Sequence, residues 1–501
     1  MDILGLKGLH HFLLDKGVAS HLLYLPTFDA THQRMREGLR QFVEALQPRL
    51  ICTSLMANDY PVAVEVTRVL QELLPDALHV WGGVHASTAP EQCLEHADCV
   101  CVGEGEQALR DLIDAVEHDK PIDAIPNLCL REGGQVRCNP LYPLIEDLDS
   151  LPVVRQIPPN SFVQVWGPVV PVAAKHLARF KRYRGGVYKI LTSRGCPHGC
   201  TYCINDFLRL CYGKWGVGRR SPEHVIEELE WALREGPPLE YVDFIDDCFL
   251  ACSVAYLEKF AALYKARIGK PFIAKGTPRE FTRAKMDIAV DAGMVWANMG
   301  LQSGSDRVSF DVYNRRIPAR DFLEAARLIH EYPVAAYFDL IVDNPFESVE
   351  DTLETVETLM AVPKPYYILI FSLNFYPGTQ LRERALEECP EAVGDAVTKD
   401  YLVRDTRPVN VLIEIAPFLH TPVMRWLVNR FRRKPHAWGT RLAVTVAKLY
   451  SQLVLSPITY FRLIKRTQRG SFWRTLKVLP IYFNGAFVYY VNNFSLFKRR
   501  A

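Results

Sequence analysis

The strongest constraint on this chain is the segment Ser193-Arg194-Gly195-Cys196-Pro197-His198-Gly199-Cys200-Thr201-Tyr202-Cys203. Three cysteines fall within eight residues, spaced Cys-x3-Cys-x2-Cys, directly after the strand-like run 187–194 (VYKILTSR). Thiolates on one tight loop can hold three irons of a [4Fe–4S] cluster. The missing fourth cysteine leaves one iron open to a ligand. The loop directly follows a strand, which is where a β/α barrel carries its chemistry, at the carboxyl ends of its strands.

Competing readings of the cysteines are weaker. A zinc site wants four ligands from paired motifs, and His198 sits within the same loop, where it would strain a tetrahedron. A disulfide framework fits poorly with 13 cysteines scattered over 501 residues. The N-terminus lacks the basic start and apolar core of a secretory leader. A cytoplasmic, reducing setting is therefore expected.

Upstream, short apolar runs alternate with helical stretches. Runs 18–25, 50–55, 77–81 and 99–102 read as buried strands, and 34–46, 61–74, 89–96 and 106–117 as the helices between them. Such alternation predicts a doubly wound parallel sheet, with ligands at the carboxyl ends of its strands. The candidate loops are 26–32, 54–59 (from Ser54), 82–87 and 103–106. Two are glycine-rich, Gly82-Gly83-Val84-His85 and Gly103-Glu104-Gly105-Glu106, so a backbone can pass close to a bulky ligand.

Downstream of the cysteines, 222–234 reads as a helix with Ser221 as N-cap. Strands are expected at 241–245, ending in Asp246-Asp247, and at 272–276, 296–301, 335–342 and 366–371. Together with 187–194 they make a barrel of about six β/α units.

The cysteine loop resembles the signature of the radical S-adenosylmethionine (SAM) enzymes. The glycine loops resemble the cobalamin-binding, Rossmann-like domain that precedes the radical SAM domain in one large subfamily. The resemblance implies Cys196, Cys200 and Cys203 as cluster ligands. It implies SAM contacts from Tyr202 near adenine, Asp246 and Asp247 near the amino group, Arg279 on the carboxylate, and Gln302 and Ser303 near the ribose. Gln302 stands where the family carries Glu. For cobalamin it implies Ser54, Gly82, Gly83, Val84, His85, Gly103, Glu104, Gly105 and Glu106. The Asp-x-His-x-x-Gly motif is absent; Asp29 and His32 have the wrong spacing, so no histidine ligation of cobalt is expected. The segments Asn344-Pro345-Phe346-Glu347-Ser348 and Phe375-Tyr376-Pro377-Gly378-Thr379 match family turns of structural character.

This divides the chain into a cobalamin-binding domain at 1–150, a linker at 151–186, a partial barrel at 187–390 and a helical, basic region at 391–501. The implied activity is methylation of an unactivated carbon of a lipid-like, tetrapyrrole or other secondary-metabolite substrate. In that chemistry a reduced cluster cleaves SAM to a 5′-deoxyadenosyl radical, and methylcobalamin donates the methyl group. A flavodoxin- or ferredoxin-type electron donor is the expected partner. Alternatives are a radical cyclisation, ring contraction or oxidative rearrangement on the same scaffold, and a cobalamin or cluster sensor without turnover. A tRNA methylthiotransferase ranks low, because Cys52, Cys93, Cys99 and Cys101 lie in an α/β pattern rather than a second cluster motif.

Charge is unevenly spread. Residues 401–501 hold 18 Lys/Arg against Asp405 and Glu414, a net of +16, while the first 400 carry −14. The run 442–461 is mostly apolar but contains Lys448, Gln452 and Pro457, and barely reaches the length needed to span a bilayer. A later run, 478–491, is too short. Apolar faces flanked by Lys, Arg and Trp suit a helix lying on an anionic membrane, peripheral at its inner face. A helical subdomain packed on the barrel reads equally well. Nucleic acid is disfavoured, because the aromatics lie in apolar runs rather than along a basic groove.

Overall fold

The computed structural model describes residues 3–180, 186–213, 216–469 and 472–476. Internal contacts divide the chain into two compact units. One comprises 1–181, 202–237 and 375–399; the other comprises 182–201, 238–374 and 400–501. The expected run 478–491 and part of the expected linker, 181–185, lie outside the described residues.

The first unit begins with helix α1 (Leu4–Asp15), which the sequence reading did not anticipate. Strand β1 (Leu22–Tyr24) follows, then α2 (Gln33–Leu46), β2 (Leu50–Ser54), α3 (Tyr60–Leu73), β3 (Leu78–Gly82), β4 (Cys99–Cys101) and α4 (Glu106–Glu117). A hairpin of β5 (Leu128–Glu132) and β6 (Gln135–Cys138) completes a five-stranded sheet of order β2-β3-β4-β5-β6. The first three strands run parallel, and the hairpin is antiparallel. Alternate residues serve opposite faces, as a pleat requires. Trp81 and Val100 join one core, while Val80, Cys99 and Cys101 join another beneath α4.

Two expectations are corrected here. The run 18–25 does not enter this sheet. Its strand is shorter and pairs in parallel with β7 (Ser161–Gln164), which pairs with β8 (Val169–Pro171). The reason is packing: Leu22 and Tyr24 are buried with Val163 in a separate small core. The expected linker thus contributes strands of its own, and the loop with Asp29 and His32 leaves a different sheet from the glycine loops. Not every thiol is free either. Cys129 and Cys138 face each other across the β5–β6 hairpin and are joined as a disulfide.

The same unit holds α5 (Ile204–Tyr212), which begins directly after Cys203, and α6 (Pro222–Glu235). Ser221 caps α6 as expected, accepting a hydrogen bond from the His224 N–H at 3.2 Å, with Pro222 at the first helical position.

The second unit is a parallel sheet in barrel order. Its strands are β9 (Val187–Ile190), β10 (Tyr241–Phe244), β11 (Phe272–Gly276), β12 (Met294–Gln302), β13 (Ala335–Val342) and β14 (Tyr367–Ser372), each paired with the next. The crossovers are α7 (Val254–Arg267), α8 (Arg283–Ala292), α9 (Ala319–Glu331) and α10 (Val349–Ala361). Ser253, Thr282 and Ser348 cap three of them, and Ser348 forms a full capping box with Asp351. An aromatic core of Phe244, Phe249, Phe260, Tyr264 and Phe272 fills one flank in edge and stacked contacts.

The basic C-terminal region is helical, with α11 (Pro408–Ile415), α12 (Thr421–Arg433) and a long helix α13 (Trp438–Thr467) that passes through a π-type turn at Ser451–Leu455. It meets the barrel at both ends. Residues 400–410 lie at the carboxyl ends of β13 and β14: the Ser372 N–H donates to the Tyr401 carbonyl at 2.8 Å, and Asp343 accepts from Arg407 and Asn410. Helix α13 lies at the opposite end, where Leu463 and Tyr460 pack on Trp296, Ala335 and Tyr367 near the starts of their strands.

Candidate functional site

The cysteine loop leaves the carboxyl end of β9, where the sequence places it. Gly195 adopts φ +89°, a conformation glycine reaches without strain, and turns the chain immediately before Cys196. Cys196 and Cys203 are partly exposed, Cys200 is buried, and none of the three is in a disulfide. Burial pushes the Cys196 thiol up to about 11, so the free loop holds a thiol, and a bound cation would be needed to draw out the thiolate. Within the barrel unit the loop is tied down at several points. The Thr201 N–H donates to the Tyr313 carbonyl at 3.1 Å, the Thr201 hydroxyl to the Val312 carbonyl at 2.6 Å, and Asn314 to the Gly199 carbonyl at 3.1 Å. Tyr313 is itself buried and accepts from Asn344 Nδ2 at 3.2 Å. Within the other unit, Asn205 Nδ2 lies 3.8 Å from Cys203 Sγ and donates to it. Three unoxidised thiols on one braced loop fit a cluster with three protein ligands.

His198 is engaged elsewhere. Its Nε2 lies 3.2 Å from Thr277 Oγ1 and 3.5 Å from Glu280 Oε1. Burial raises the Glu280 carboxyl, but hydrogen bonds from His198 and Thr277 outweigh it and hold the group below its usual range. With Cys248, these residues place an imidazole nitrogen, a thiol and a carboxylate within 4.8 Å of one another. Sequence reading passed over Glu280 and Cys248; only their positions just beyond β11 and β10 mark them.

The strand ends separate the expected SAM residues into two kinds. Asp246 is completely buried, and one oxygen accepts from the Thr192 N–H at 2.9 Å, the Thr192 hydroxyl at 2.8 Å and the Ser193 hydroxyl. It clamps the exit of β9, the start of the cysteine loop. Asp247 is exposed. Arg279 is exposed and donates to the Arg316 carbonyl at 2.6 Å. Gln302 closes β12 at φ +67°, and its Nε2 lies 2.6 Å from where a side chain on Gly300 would begin, which reserves that position for glycine. Ser303 is buried and donates to Glu347 Oε1 at 2.8 Å. Tyr202 is half-buried in the first unit.

Further polar groups of the barrel were missed. Buried Arg315 donates to the Gly300 and Leu301 carbonyls at 2.6 and 3.0 Å and holds the end of β12. Asp339 lies mid-strand on β13 with Asn298 Nδ2 donating to it at 3.0 Å, and burial pushes its carboxyl up to about 6 against the pull of Asn298, Lys275 and Arg315. Burial likewise pushes Glu347 up to about 7. An acid in the middle of an apolar run, as in Phe338-Asp339-Leu340, is the signal that could have found Asp339.

In the first unit the glycine loops stand together at the carboxyl ends of β2, β3 and β4. Gly83 adopts φ +92°, and a side chain there would meet the Leu55 backbone at 2.8 Å and Ser54 Oγ at 2.9 Å. The Gly103 N–H donates to Ser87 Oγ at 3.0 Å, and that hydroxyl donates to the Gly83 carbonyl at 2.9 Å, so the two loops are stitched together. Val84 is 45 % exposed and Met56, just past β2, is 56 % exposed. Close-approach glycines beside outward apolar side chains fit a broad, largely apolar ring system.

Three expected residues play supporting parts. His85 is buried, with Nε2 3.1 Å from Gln92 Oε1 and its ring edge-on to Tyr60; burial lowers its pKa. Glu104 spends a carboxylate oxygen on the Ile145 N–H at 2.8 Å. Glu106 is buried in the first turn of α4, where a negative charge suits the helix dipole. Gly82 and Gly105 meet only ordinary contacts.

Sequence reasoning also missed Tyr212, the last residue of α5. Its hydroxyl accepts the Glu104 N–H at 2.9 Å. A side chain on Gly103, at φ +79°, would fall 2.0 Å from that hydroxyl. The helix that starts after Cys203 therefore ends against a glycine loop, a link across 108 positions of sequence.

Comparison with known proteins agrees with this geometry. Residues 3–113 match the B12 binding domain, and residues 190–359 match the radical SAM superfamily. Among curated relatives, the uncharacterized methyltransferase PH0819 of Pyrococcus horikoshii is 24% identical over 371 residues, 72% of this chain and 73% of that protein. The anaerobic magnesium-protoporphyrin IX monomethyl ester cyclase of Cereibacter sphaeroides is 25% identical over 364 residues, 67% of this chain and 52% of that protein. The hopanoid C-3 methylase of Methylococcus capsulatus is 22% identical over 356 residues, 68% of this chain and 61% of that protein. The chain thus spans little more than half the length of the latter two. Among solved structures, the cobalamin-dependent S-adenosylmethionine radical enzyme OxsB, with aqua-cobalamin and S-adenosylmethionine bound, shares the fold with a TM-score of 0.66 at 15% identity, covering 97% of this chain and 78% of that one. The radical SAM domain implies a [4Fe–4S] cluster and SAM, and the B12-binding domain implies cobalamin. The chain carries an N-terminal B12-binding domain followed by a radical SAM domain.

Proposed function

We propose that this protein methylates an unactivated carbon of a hydrophobic, lipid-like or tetrapyrrole-like substrate. The observation that carries the reading is the Tyr212–Glu104 hydrogen bond, because it ties the helix that follows the cluster cysteines to a cobalamin loop. It places the helix that starts after Cys203 and the Gly103–Glu106 loop within one compact unit. The names of two relatives, a methylase of hopanoids and an uncharacterized methyltransferase, support methyl transfer.

When bound, the cluster, SAM and cobalamin supply the radical and the methyl group. The chain's own residues bind and orient them. Cys196, Cys200 and Cys203 hold the cluster, with the Asn205 amide donating to the Cys203 sulfur. Asp246 fixes the exit of β9, and Asp247, next to it and exposed, is the carboxylate for the ammonium group of SAM. Arg279 offers its remaining guanidinium donors to the SAM carboxylate, while Gln302 and Ser303 shape the edge nearest the ribose. Ser54, Gly82, Gly83, Val84, Gly103 and Gly105 form the cobalamin cradle, and His85, Glu104 and Glu106 brace it from below. The electron comes from a flavodoxin- or ferredoxin-type donor in the cytoplasm.

The test is anaerobic incubation with SAM bearing a deuterated methyl group and a panel of hydrophobic substrates. A product that gains the labelled methyl supports the reading. A product of unchanged carbon count, formed together with 5′-deoxyadenosine, refutes it in favour of a cyclisation, for which the cyclase relative is the precedent.

A further inference from the structure

Helix α13 carries a face that the barrel does not use. One side is seated: Thr440, Val444, Ser451, Leu463 and Ile464 are buried. On the other side Trp438, Leu442, Val446, Leu453, Val454 and Ile458 are exposed, with Trp438 78 %, Leu453 62 % and Val446 56 % accessible. Their spacing, mostly of four and seven residues, keeps them on one stripe of the helix. At about 1.5 Å per residue the stripe runs about 30 Å, far more than the isolated apolar residues that ordinary surfaces carry.

The surroundings of the stripe are basic. Arg425, Arg433, Lys434, Arg441 and Arg462 are exposed, and no acid follows Glu414 in the sequence. Trp426 on α12 and Trp473, beyond the end of α13, are exposed as well. An apolar stripe bordered by cations and indoles matches the interfacial zone of an anionic bilayer, where lipid tails take the stripe, phosphates take the cations and indoles sit between them. Helix α13 is long and apolar enough to cross a membrane. A crossing helix would need lipid all round, however, and this one is committed to Trp296, Ala335 and Tyr367 through Leu463. A second copy of the chain is a poor occupant, because the pairing would bring two strongly basic regions together.

We infer that the exposed face of α13 docks flat on an anionic membrane surface, so that the amino-terminal end of the barrel faces the lipid and the cysteine loop the aqueous side. This inference stands whether or not the reaction is a methylation.

The test uses the full-length, cluster-loaded protein and sedimentation with vesicles of phosphatidylcholine alone or mixed with phosphatidylglycerol. The wild type is expected to partition onto the phosphatidylglycerol vesicles, with binding reduced at least about tenfold by high salt. A Leu442→Gln, Val446→Gln, Leu453→Gln variant is expected to lose at least about tenfold in partitioning, and Arg433→Glu, Arg441→Glu a similar factor. Iron content and melting temperature should be unchanged in both, since none of these side chains is buried. Failure of the wild type to bind anionic vesicles overturns the inference. So does equal binding by the glutamine variant. A concentration-dependent dimer that the glutamine variant abolishes also overturns it, in favour of self-association.

Discussion

Removing one oxygen from Tyr212 should loosen cobalamin without touching the cluster. In Tyr212→Phe the Glu104 N–H loses the acceptor it holds at 2.9 Å. A hydrogen bond of this kind is worth about 0.5–1.5 kcal/mol net, and a buried donor left without a partner costs about 1–3 kcal/mol. Taking about 1–2 kcal/mol as the cost to the loop's bound conformation gives a cobalamin dissociation constant roughly 5- to 30-fold higher. Gly103→Ala should be worse. Its side chain would lie 2.0 Å from the Tyr212 hydroxyl and, once that hydroxyl is gone, still 2.9 Å from the ring carbon. It would also impose φ +79° on a non-glycine residue, at about 1–2 kcal/mol. Because the two residues touch, the double variant should lose less than the sum of the singles. The assay is an anaerobic titration of cluster-loaded protein with hydroxocobalamin, read by absorbance, with iron per chain and melting temperature measured alongside. Cobalamin affinity within about twofold of wild type in Tyr212→Phe would refute the argument that this contact shapes the site.

Other consequences follow from the same contacts. Asp246→Ala strips three hydrogen-bond donors of their buried acceptor, so it should cost about 2–4 kcal/mol and lower the melting temperature by several degrees. Glu347 is raised from 4.5 to about 7 in the fold, so the folded state binds its proton more tightly than the unfolded chain does. Stability from this group is therefore full below about pH 4.5 and falls as pH rises through about 7, by up to about 3 kcal/mol; denaturant midpoints measured across that window should decline in the wild type and flatten in Glu347→Gln. Loss of all three thiols in Cys196→Ala, Cys200→Ala, Cys203→Ala should abolish bound iron and SAM cleavage, measured by iron assay and 5′-deoxyadenosine release, and retention of either would remove the cluster assignment.

The sequence disclosed what depends on neighbours along the chain. The cysteine spacing marks the cluster loop, and alternating apolar runs mark β2, β3 and β4 and most of the barrel strands to within two residues. Serine before proline at 221–222 announced the start of α6. What stayed hidden depends on distant partners. The run 18–25 looks like a strand of the first sheet, yet only the packing of Leu22 and Tyr24 on Val163, far along the chain, decides which sheet receives it. Asp246 and Asp247 are chemically identical in sequence; the hydroxyls of Thr192 and Ser193 bury one and leave the other exposed. Tyr212 is an unremarkable helix residue until the fold brings Glu104 to it. The basic C-terminal region resembles nothing by motif, and its division between the two ends of the barrel emerges only from the contacts of Ser372 with Tyr401 and of Leu463 with Trp296.

The central claim is that one chain uses a three-cysteine cluster and cobalamin together. The most direct test is the ratio of cobalamin and of iron to chain in protein purified without oxygen from cobalamin-fed cells. The account predicts about one cobalamin per chain with the iron–sulfur absorbance intact. A ratio near zero beside an intact iron–sulfur spectrum would contradict it and leave the glycine loops as structure alone.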